Sequence, residues 1–352
     1  MSMLAELVEL VIGVDTHADT HTAALVAVNT RALLATITVA ADVDGYTQLL
    51  ELAESHGGLR AWAIEGAGGY GAGLTRHLAR AREMVVELDR PLRPARRAGA
   101  KSDVIDAERA ARDALSRVRL AAPKTGPQRA ALAVLLTARR SAVDAATTAQ
   151  RQLRALVITA PEQVRARFRG HSTRTMVDIA GRTRPGAAAG GAAGVEVFTV
   201  LSTLRSLARR IRALETEAAE HERAIRQIVR SWRPDLLEAT GIGPIVAAVV
   251  LTAWSHPGRC RSDAAFAMLA GAAPIPASSG KTVRYRLNRC GNRQLNRALH
   301  TIVLSRLRYD PDTRAYADRR RAQGKTDREI KRCLKRYIAR QLYRQLEATA
   351  SS

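Results

Sequence analysis

Four acidic residues stand where a folded chain can bring carboxylates together: Asp15, Glu65, Asp103 and Asp106. Asp15 ends the apolar run Val11-Ile12-Gly13-Val14, and Glu65 ends the run from Ala61 to Ile64. Asp103 and Asp106 open a helical pattern that continues to Leu115. Strand ends point into a common crevice, and acids at i and i+3 share one helix face. Four carboxylates in one place are tolerable only with cations, and clustered oxygens with open positions suit Mg²⁺ or Mn²⁺. Two such ions about 3.5–4 Å apart hold both the attacking and the leaving oxygen in phosphoryl transfer. Taken singly, each acid also reads as a cap or a turn residue, since Asp103 follows Ser102 at a helix start and Asp15 ends a strand. The four together, on this order of elements, favour the metal reading.

A second constellation runs from Pro274 through Ile275-Pro276-Ala277-Ser278-Ser279-Gly280 to Lys281, followed by Arg284, Arg286, Arg289, Gly291-Asn292-Arg293 and Arg297. A serine in a Gly-bounded loop amid guanidinium groups can attack a phosphodiester while the cations stabilise the charge that develops. Ser-Ser-Gly-Lys is also an ordinary exposed turn. No histidine sits beside it in the sequence, so metal would have to help activate the hydroxyl.

The elements that must carry these residues follow from periodicity. Strands are expected at Val11–Val14, Thr22–Val28 and Leu33–Val39. A helix with Tyr46, Leu49, Leu50 and Ala53 on one face comes next, then a strand at 61–64. A helix with Tyr70, Leu74, His77 and Leu78 on one face, a strand at 84–88 and a helix at 103–115 complete the order βββαβαβα. That is the order of a ribonuclease H-like fold, an α/β layer with helices flanking a mixed sheet. Long helices are expected over 132–157 and 204–228. Leu204, Leu207, Ile211, Leu214, Ala218, His221, Ile225 and Ile228 step alternately by three and four, as the a and d positions of a coiled coil do. An antiparallel pair within one chain and a coiled coil between two chains both fit this pattern; the reading favours the second, and His221 reads as a polar register residue. The Gly/Ala-rich stretch 186–194 reads as a flexible connection.

Beyond Pro234 short helices and loops are expected, opening with a helix-hairpin-helix around Gly241-Ile242-Gly243, whose turn amides can face a phosphate. A GxG between two helices is equally a compact turn. The resulting division is an α/β domain over 1–120, a helical coiled-coil region over 121–233 and a basic helical domain over 234–352.

In 352 residues, 56 Lys and Arg oppose 33 Asp and Glu, a net charge of +23. Such a balance favours a polyanionic partner, nucleic acid before an acidic membrane surface. From Lys281 to Leu346 there are 20 basic against five acidic residues, a phosphate-tracking density. Only six of the 56 are Lys, but the wealth of Ala and Arg also fits a GC-rich genome, so the charge and not the choice of Arg carries the argument. Cys260, Cys290 and Cys333 are far apart and lack metal-ligand spacing, which excludes a disulfide framework and a zinc site and leaves reduced thiols. No charge-free apolar run reaches the length of a membrane span. Met1–Leu10 lacks a basic n-region, so a cytoplasmic protein is expected.

With both constellations in view, the chain resembles the transposases of the IS-one-ten insertion-sequence family, relatives of the Piv-type DNA invertases. The carriers are Val14-Asp15-Thr16-His17, Ile64-Glu65-Gly66-Ala67-Gly68-Gly69-Tyr70-Gly71, Lys101-Ser102-Asp103-Val104-Ile105-Asp106-Ala107-Glu108, the Thr240–Pro244 hairpin and the stretch from Ser279 to Arg297. The resemblance implies a RuvC-like domain that binds divalent metal through Asp15, Glu65, Asp103 and Asp106. It also implies a C-terminal serine joined covalently to DNA, which falls on Ser279, with the adjacent Ser278 as the second candidate. Nucleic-acid contacts are expected at Gly241, Gly243, Lys281, Arg284, Arg286, Arg289, Arg293 and Arg297. Further implications are a structured non-coding RNA that pairs with donor and target DNA, a nucleoid-associated bacterial setting, and a dimer or tetramer joined through the coiled coil. In that assembly one chain's acids would work with another's serine. The segment 170–194 has no pattern that fits the family.

Three rival readings remain. A junction-resolving nuclease would use the same acids to activate water and leave Ser279 dispensable. A non-catalytic DNA-binding protein would not need all five residues. A sugar-kinase-like ATPase would share the Val-Asp-Thr opening and the Gly-rich 66–73 run, but that run lacks the Gly-Lys-[Ser/Thr] ending of a phosphate loop.

Overall fold

The computed structural model describes residues 3–88, 102–186, 191–278 and 284–348. The chain forms two compact units, Met1–Thr125 and Gly126–Ser352. In the first, a single turn, α1 (Leu4–Leu7), leads into β1 (Leu10–Thr16), β2 (Thr20–Ala27) and β3 (Leu33–Ala40). Helix α2 (Val43–Ser55), β4 (Arg60–Glu65), α3 (Ala72–Arg80), β5 (Met84–Leu88) and α4 (Asp103–Ser116) follow. Apart from α1, this is the order expected from the sequence. The strands make a five-stranded mixed sheet in the order β3-β2-β1-β4-β5. β1, β2 and β3 pair antiparallel, while β4 lies parallel to β1 and β5 parallel to β4. The helical crossovers account for the parallel pairs, since a tight hairpin cannot join parallel strands.

Strand alternation sorts the two faces of the sheet. Leu10, Ile12 and Val14 of β1, with Trp62 and Ile64 of β4, share a core with Leu49 of α2 and Leu74 and Leu78 of α3. Val11, Ala61 and Ala63 point the other way, into a core with Ala111, Ala114 and Leu115 of α4. The small residues on this second face let α4 lie close to the strands. Gly13 is the extreme case: a Cβ there would stand 2.0 Å from the Ala107 carbonyl oxygen and 2.5 Å from the Ala111 nitrogen.

Among its described residues the second unit is helical apart from one small hairpin. α5 (Pro127–Thr159) and α8 (Ala192–Trp232) are joined through α6 (Glu162–Arg165) and α7 (Thr173–Arg182). Arg139 donates to Glu222 at 3.0 Å and Gln150 to Glu215 at 3.0 Å, so the residue numbers run in opposite senses and the pair is antiparallel. The expected heptad row Leu204, Ile211, Ala218 and Ile225 is buried, while Leu207, Leu214, His221 and Ile228 are half-buried. The seam on which the expectation of chain-to-chain pairing rested is therefore covered within the chain by α5, which is the other of the two arrangements. Helix α8 also begins at Ala192, inside the stretch read as a flexible connection, and α7 lies in the segment without an assignable pattern.

After α9 (Asp235–Glu238), α10 (Pro244–Trp254) and α11 (Asp263–Leu269), strands β6 (Ile275–Pro276) and β7 (Tyr285–Arg286) form the hairpin. α12 (Arg293–Tyr309), α13 (Pro311–Ala322) and α14 (Asp327–Ala348) complete the unit. α12 and α14 are long, in place of the short helices expected. One core joins Leu132, Ile225 and Val229 to α10, α12 and α14, while a second, around Leu153, Phe168, Val177 and Leu204, holds the far end of the α5/α8 pair. The boundary expected at 233/234 thus falls inside this unit, and Arg233 shows why. Its buried guanidinium donates to Asp235 and to the carbonyls of Gln345 and Leu346, stitching the end of α8 to α14. No helix among the described residues is long and apolar enough to cross a membrane.

Candidate metal centre and basic hairpin

β1 and β4 are in parallel register, with Val14 beside Ile64, so Asp15 and Glu65 are neighbours one step further along. Both continue the rows that face α4. That helix is started by Ser102, whose hydroxyl accepts from the Ile105 amide, and its first turn carries Asp103 and Asp106. Carboxylates in this turn are favoured by the helix dipole. Because α4 crosses β1 at Gly13, two residues before Asp15, its first turn arrives at the end of the strand.

The result is a group of three potential ligands: Asp15, His17 and Asp103 place one donor atom each within 4.8 Å of the others. His17 Nε2 lies 3.2 Å from Asp15 Oδ2 and 3.7 Å from Asp103 Oδ1. Two carboxylate oxygens and an imidazole nitrogen are donor chemistry for a divalent cation. Glu65 and Asp106 border this group without joining it. The Glu65 carbonyl accepts from the Thr16 hydroxyl at 3.0 Å, and the Asp106 carboxylate accepts from Arg109 at 2.6 Å. His17 was not singled out by sequence reasoning. The signal was the spacing Asp-x-His, which places two side chains on one face of a strand.

Beside the site, on the other face of the sheet, lies His21. It is fully buried in β2, its ring stacks on Tyr46 at 5.7 Å, and its Nδ1–H donates to the Thr20 carbonyl at 2.9 Å. Nε2 has no partner. Burial pushes the imidazole below its ordinary value of 6.5, against the opposing effect of the Thr20 hydrogen bond. The unfolded chain therefore takes up a proton near pH 6.5 that the folded unit still refuses, so His21 leaves stability intact above that pH and erodes it as pH falls. Hydrogen exchange of the β1 and β2 amides should show opening that becomes easier from pH 7.5 to 5.5, by at most about 1.4 kcal/mol per pH unit for this one group. His21→Gln should flatten that component; an unchanged pH dependence would assign it elsewhere.

In the second unit the basic hairpin presents Arg284, Arg286 and Arg289, and the start of α12 presents Arg293 and Arg297; all five are exposed. The hairpin is closed by Ser278, whose hydroxyl accepts from the Arg284 amide at 3.1 Å and lies 3.4 Å from the Arg284 carbonyl, while Ala277 donates to that carbonyl at 2.8 Å. Ser279 and Lys281 lie outside the described residues. Asn296 ties the first turns of α12 to the end of α11 and to α14: it donates to the Ala270 carbonyl at 2.7 Å and accepts from Lys335 at 2.9 Å. At the GxG turn, Gly241 is at φ +86° with its Cα hydrogen side against Ile302 and Ser305 of α12, and Arg306 donates to the Thr240 carbonyl. Gly241 thus serves a packed turn, as only a residue without a Cβ can there. Gly243 is exposed at the start of α10.

Comparison with known proteins matches both units. Residues 12–160 fit a profile described as a transposase, of the DEDD type named for IS110, and residues 234–318 fit one described as the transposase IS116/IS110/IS902 family. The chain is 33% identical over 137 residues to the insertion element IS110 uncharacterized 43.6 kDa protein of Streptomyces coelicolor, covering 39% of this chain and 33% of that one. It is 33% identical over 123 residues to the insertion element IS900 uncharacterized 42 kDa protein of Mycobacterium paratuberculosis, covering 34% and 31%. The chain thus spans about a third of the length of the curated relatives it matches. An N-terminal and a C-terminal region of the chain are thus each similar to transposases of the IS116/IS110/IS902 group.

Proposed function

We propose that this protein is a metal-dependent DNA transposase that cuts and rejoins the strands of its own insertion sequence through a serine nucleophile. The observation that carries the reading is the convergence of Asp15 and Asp103, from positions far apart in the chain, at one end of the sheet. The order and pairing of the strands support a ribonuclease H-like, RuvC-like domain. Asp15, Glu65, Asp103 and Asp106 would hold Mg²⁺ or Mn²⁺, which when bound neutralises charge on the scissile phosphate and acidifies the attacking hydroxyl. The remaining chemistry belongs to side chains. Ser279 attacks phosphorus, forms a phosphoester and releases a strand hydroxyl, while Lys281, Arg284, Arg286 and Arg289 counter the charge on the phosphoryl oxygens. Ser279 is preferred to Ser278 because the Ser278 hydroxyl is already committed to the Arg284 backbone. Arg293, Arg297 and Gly243 extend the phosphate-facing surface. Gly241, packed on α12, supports it from beneath.

A guide RNA and a dimer or tetramer belong to the same reading. The buried heptad row cannot supply the subunit contact, since α5 covers it, which leaves the exposed Val195 and Phe198 near the start of α8 as apolar side chains open to a partner. A water-activating nuclease is the second reading, favoured by the fact that the Asp15, His17 and Asp103 group needs no serine to activate water.

One gel separates them. The protein is expressed with its flanking non-coding DNA and Mg²⁺, and a covalent protein–DNA adduct is sought under denaturing conditions in wild type, Ser278→Ala, Ser279→Ala and Asp15→Ala. An adduct kept in Ser278→Ala and lost in the other two variants is expected. Cleavage without any adduct, lost only in Asp15→Ala, would make water the nucleophile.

A further inference from the structure

We infer that His17 is itself a metal-ligating residue and gives the site a preference for a first-row transition cation over Mg²⁺; this rests on the metal reading above. Donors in adjacent positions around an octahedral ion, at about 2.1 Å from it, lie about 3 Å apart. His17 Nε2 stands 3.2 Å from Asp15 Oδ2 and 3.7 Å from Asp103 Oδ1, so the three atoms approach one face of such an octahedron. The segment that carries Asp15 and His17 is fixed on both sides: the His17 amide donates to the Thr20 carbonyl at 3.0 Å, and the Thr16 hydroxyl donates to the Glu65 carbonyl at 3.0 Å. The His17 side chain is 52% exposed, so it forms the solvent rim of the group and can meet an ion that enters.

The donor types then decide selectivity. Mg²⁺ is held through one or two carboxylates and keeps most of its water, so an imidazole adds little to its binding. An imidazole nitrogen binds first-row transition ions more strongly than it binds Mg²⁺, least so for Mn²⁺ and increasingly along the row, so a mixed oxygen and nitrogen face favours them. If His17 were only the partner of an exposed ion pair with Asp15, its removal would change binding of both ions alike, through charge alone.

The test uses the full chain with Mn²⁺ as probe. Free Mn²⁺ is followed by electron paramagnetic resonance during titration and during competition with Mg²⁺, in wild type, His17→Asn, His17→Gln and Asp15→Ala. Both His17 variants exchange a nitrogen for an oxygen donor, and the Gln amide reaches about as far as Nε2, so a local disturbance peculiar to Asn is recognised. Mn²⁺ binding should weaken by about tenfold or more in both, with Mg²⁺ binding changed by less than about threefold. A Mn²⁺ to Mg²⁺ ratio equal to that of wild type in both variants would overturn the inference while leaving the four-acid site standing. Wild-type Mn²⁺ affinity in Asp15→Ala would overturn the four-acid site and this inference with it.

Discussion

Asp15→Asn is expected to lower strand cleavage on the order of 10³-fold or more, because it removes one full charge from the group that must hold a cation against a phosphodiester. The fold should not suffer. Asp15 contacts the half-exposed His17, and its carboxylate stands beside another, that of Asp103, within 4.8 Å. Removing one of two neighbouring carboxylates relieves repulsion, so the melting temperature without metal should stay level or rise while the rise on adding Mg²⁺ shrinks. Activity that fell together with stability would mean that Asp15 is a structural strand-end residue. The combination of lost function with kept or gained stability is the mark of a site selected for chemistry.

Gly13→Ala should do the opposite and break the frame. The new methyl would meet the Ala107 carbonyl oxygen at 2.0 Å and the Ala111 nitrogen at 2.5 Å, and both are backbone atoms that no rotamer change can move. α4 must lift from β1, at a cost of about 3 kcal/mol or more, on the order of 10 °C in melting temperature. The lifted helix carries Asp103 and Asp106 away from Asp15, so stabilisation by added Mg²⁺ should vanish as well. Gly45→Ala is the matched control. Its methyl would stand 2.1 Å from the Ala40 carbonyl oxygen, a comparable clash, but at α2 on the other face of the sheet. It should lower the melting temperature yet keep the shift on adding metal. Loss of the metal response in both variants would refute a specific role for the α4 crossing.

These two residues also show how far the sequence could be read. Asp15 and Asp103, which the structure brings together, could be picked out because one ends a strand and the other starts a helix, places where periodicity changes; Glu65 and Asp106, picked out on the same ground, border that group. Gly13 looked like any small residue in an apolar run, since the close approach of α4 comes from a segment about ninety residues later. His17 was hidden for the same reason: a histidine two residues after an acid has no meaning until Asp103 is set beside it. Heptads announce a helical partner but carry no label saying whose it is, so the Leu204 row could not reveal that α5 covers it. α7 was missed because its buried face is only Val177 and Ala180. In α14 the buried row Ile330, Leu334, Ile338, Leu342 and Leu346 was there to be seen at every fourth position, but the density of Lys and Arg between drew the reading toward charge.

The antiparallel pair has a property of its own. Its 33-residue first arm spans about 50 Å, with separate apolar clusters at its two ends and the small buried residues Ala142 and Ala146 between them. Such a span is a ruler graduated in sevens. Deleting one heptad from each arm would draw the α6 and α7 tip about 10 Å closer to the C-terminal helices and bring every buried row back nearly into phase. Reach can therefore change in discrete steps between related chains while both end clusters keep their composition.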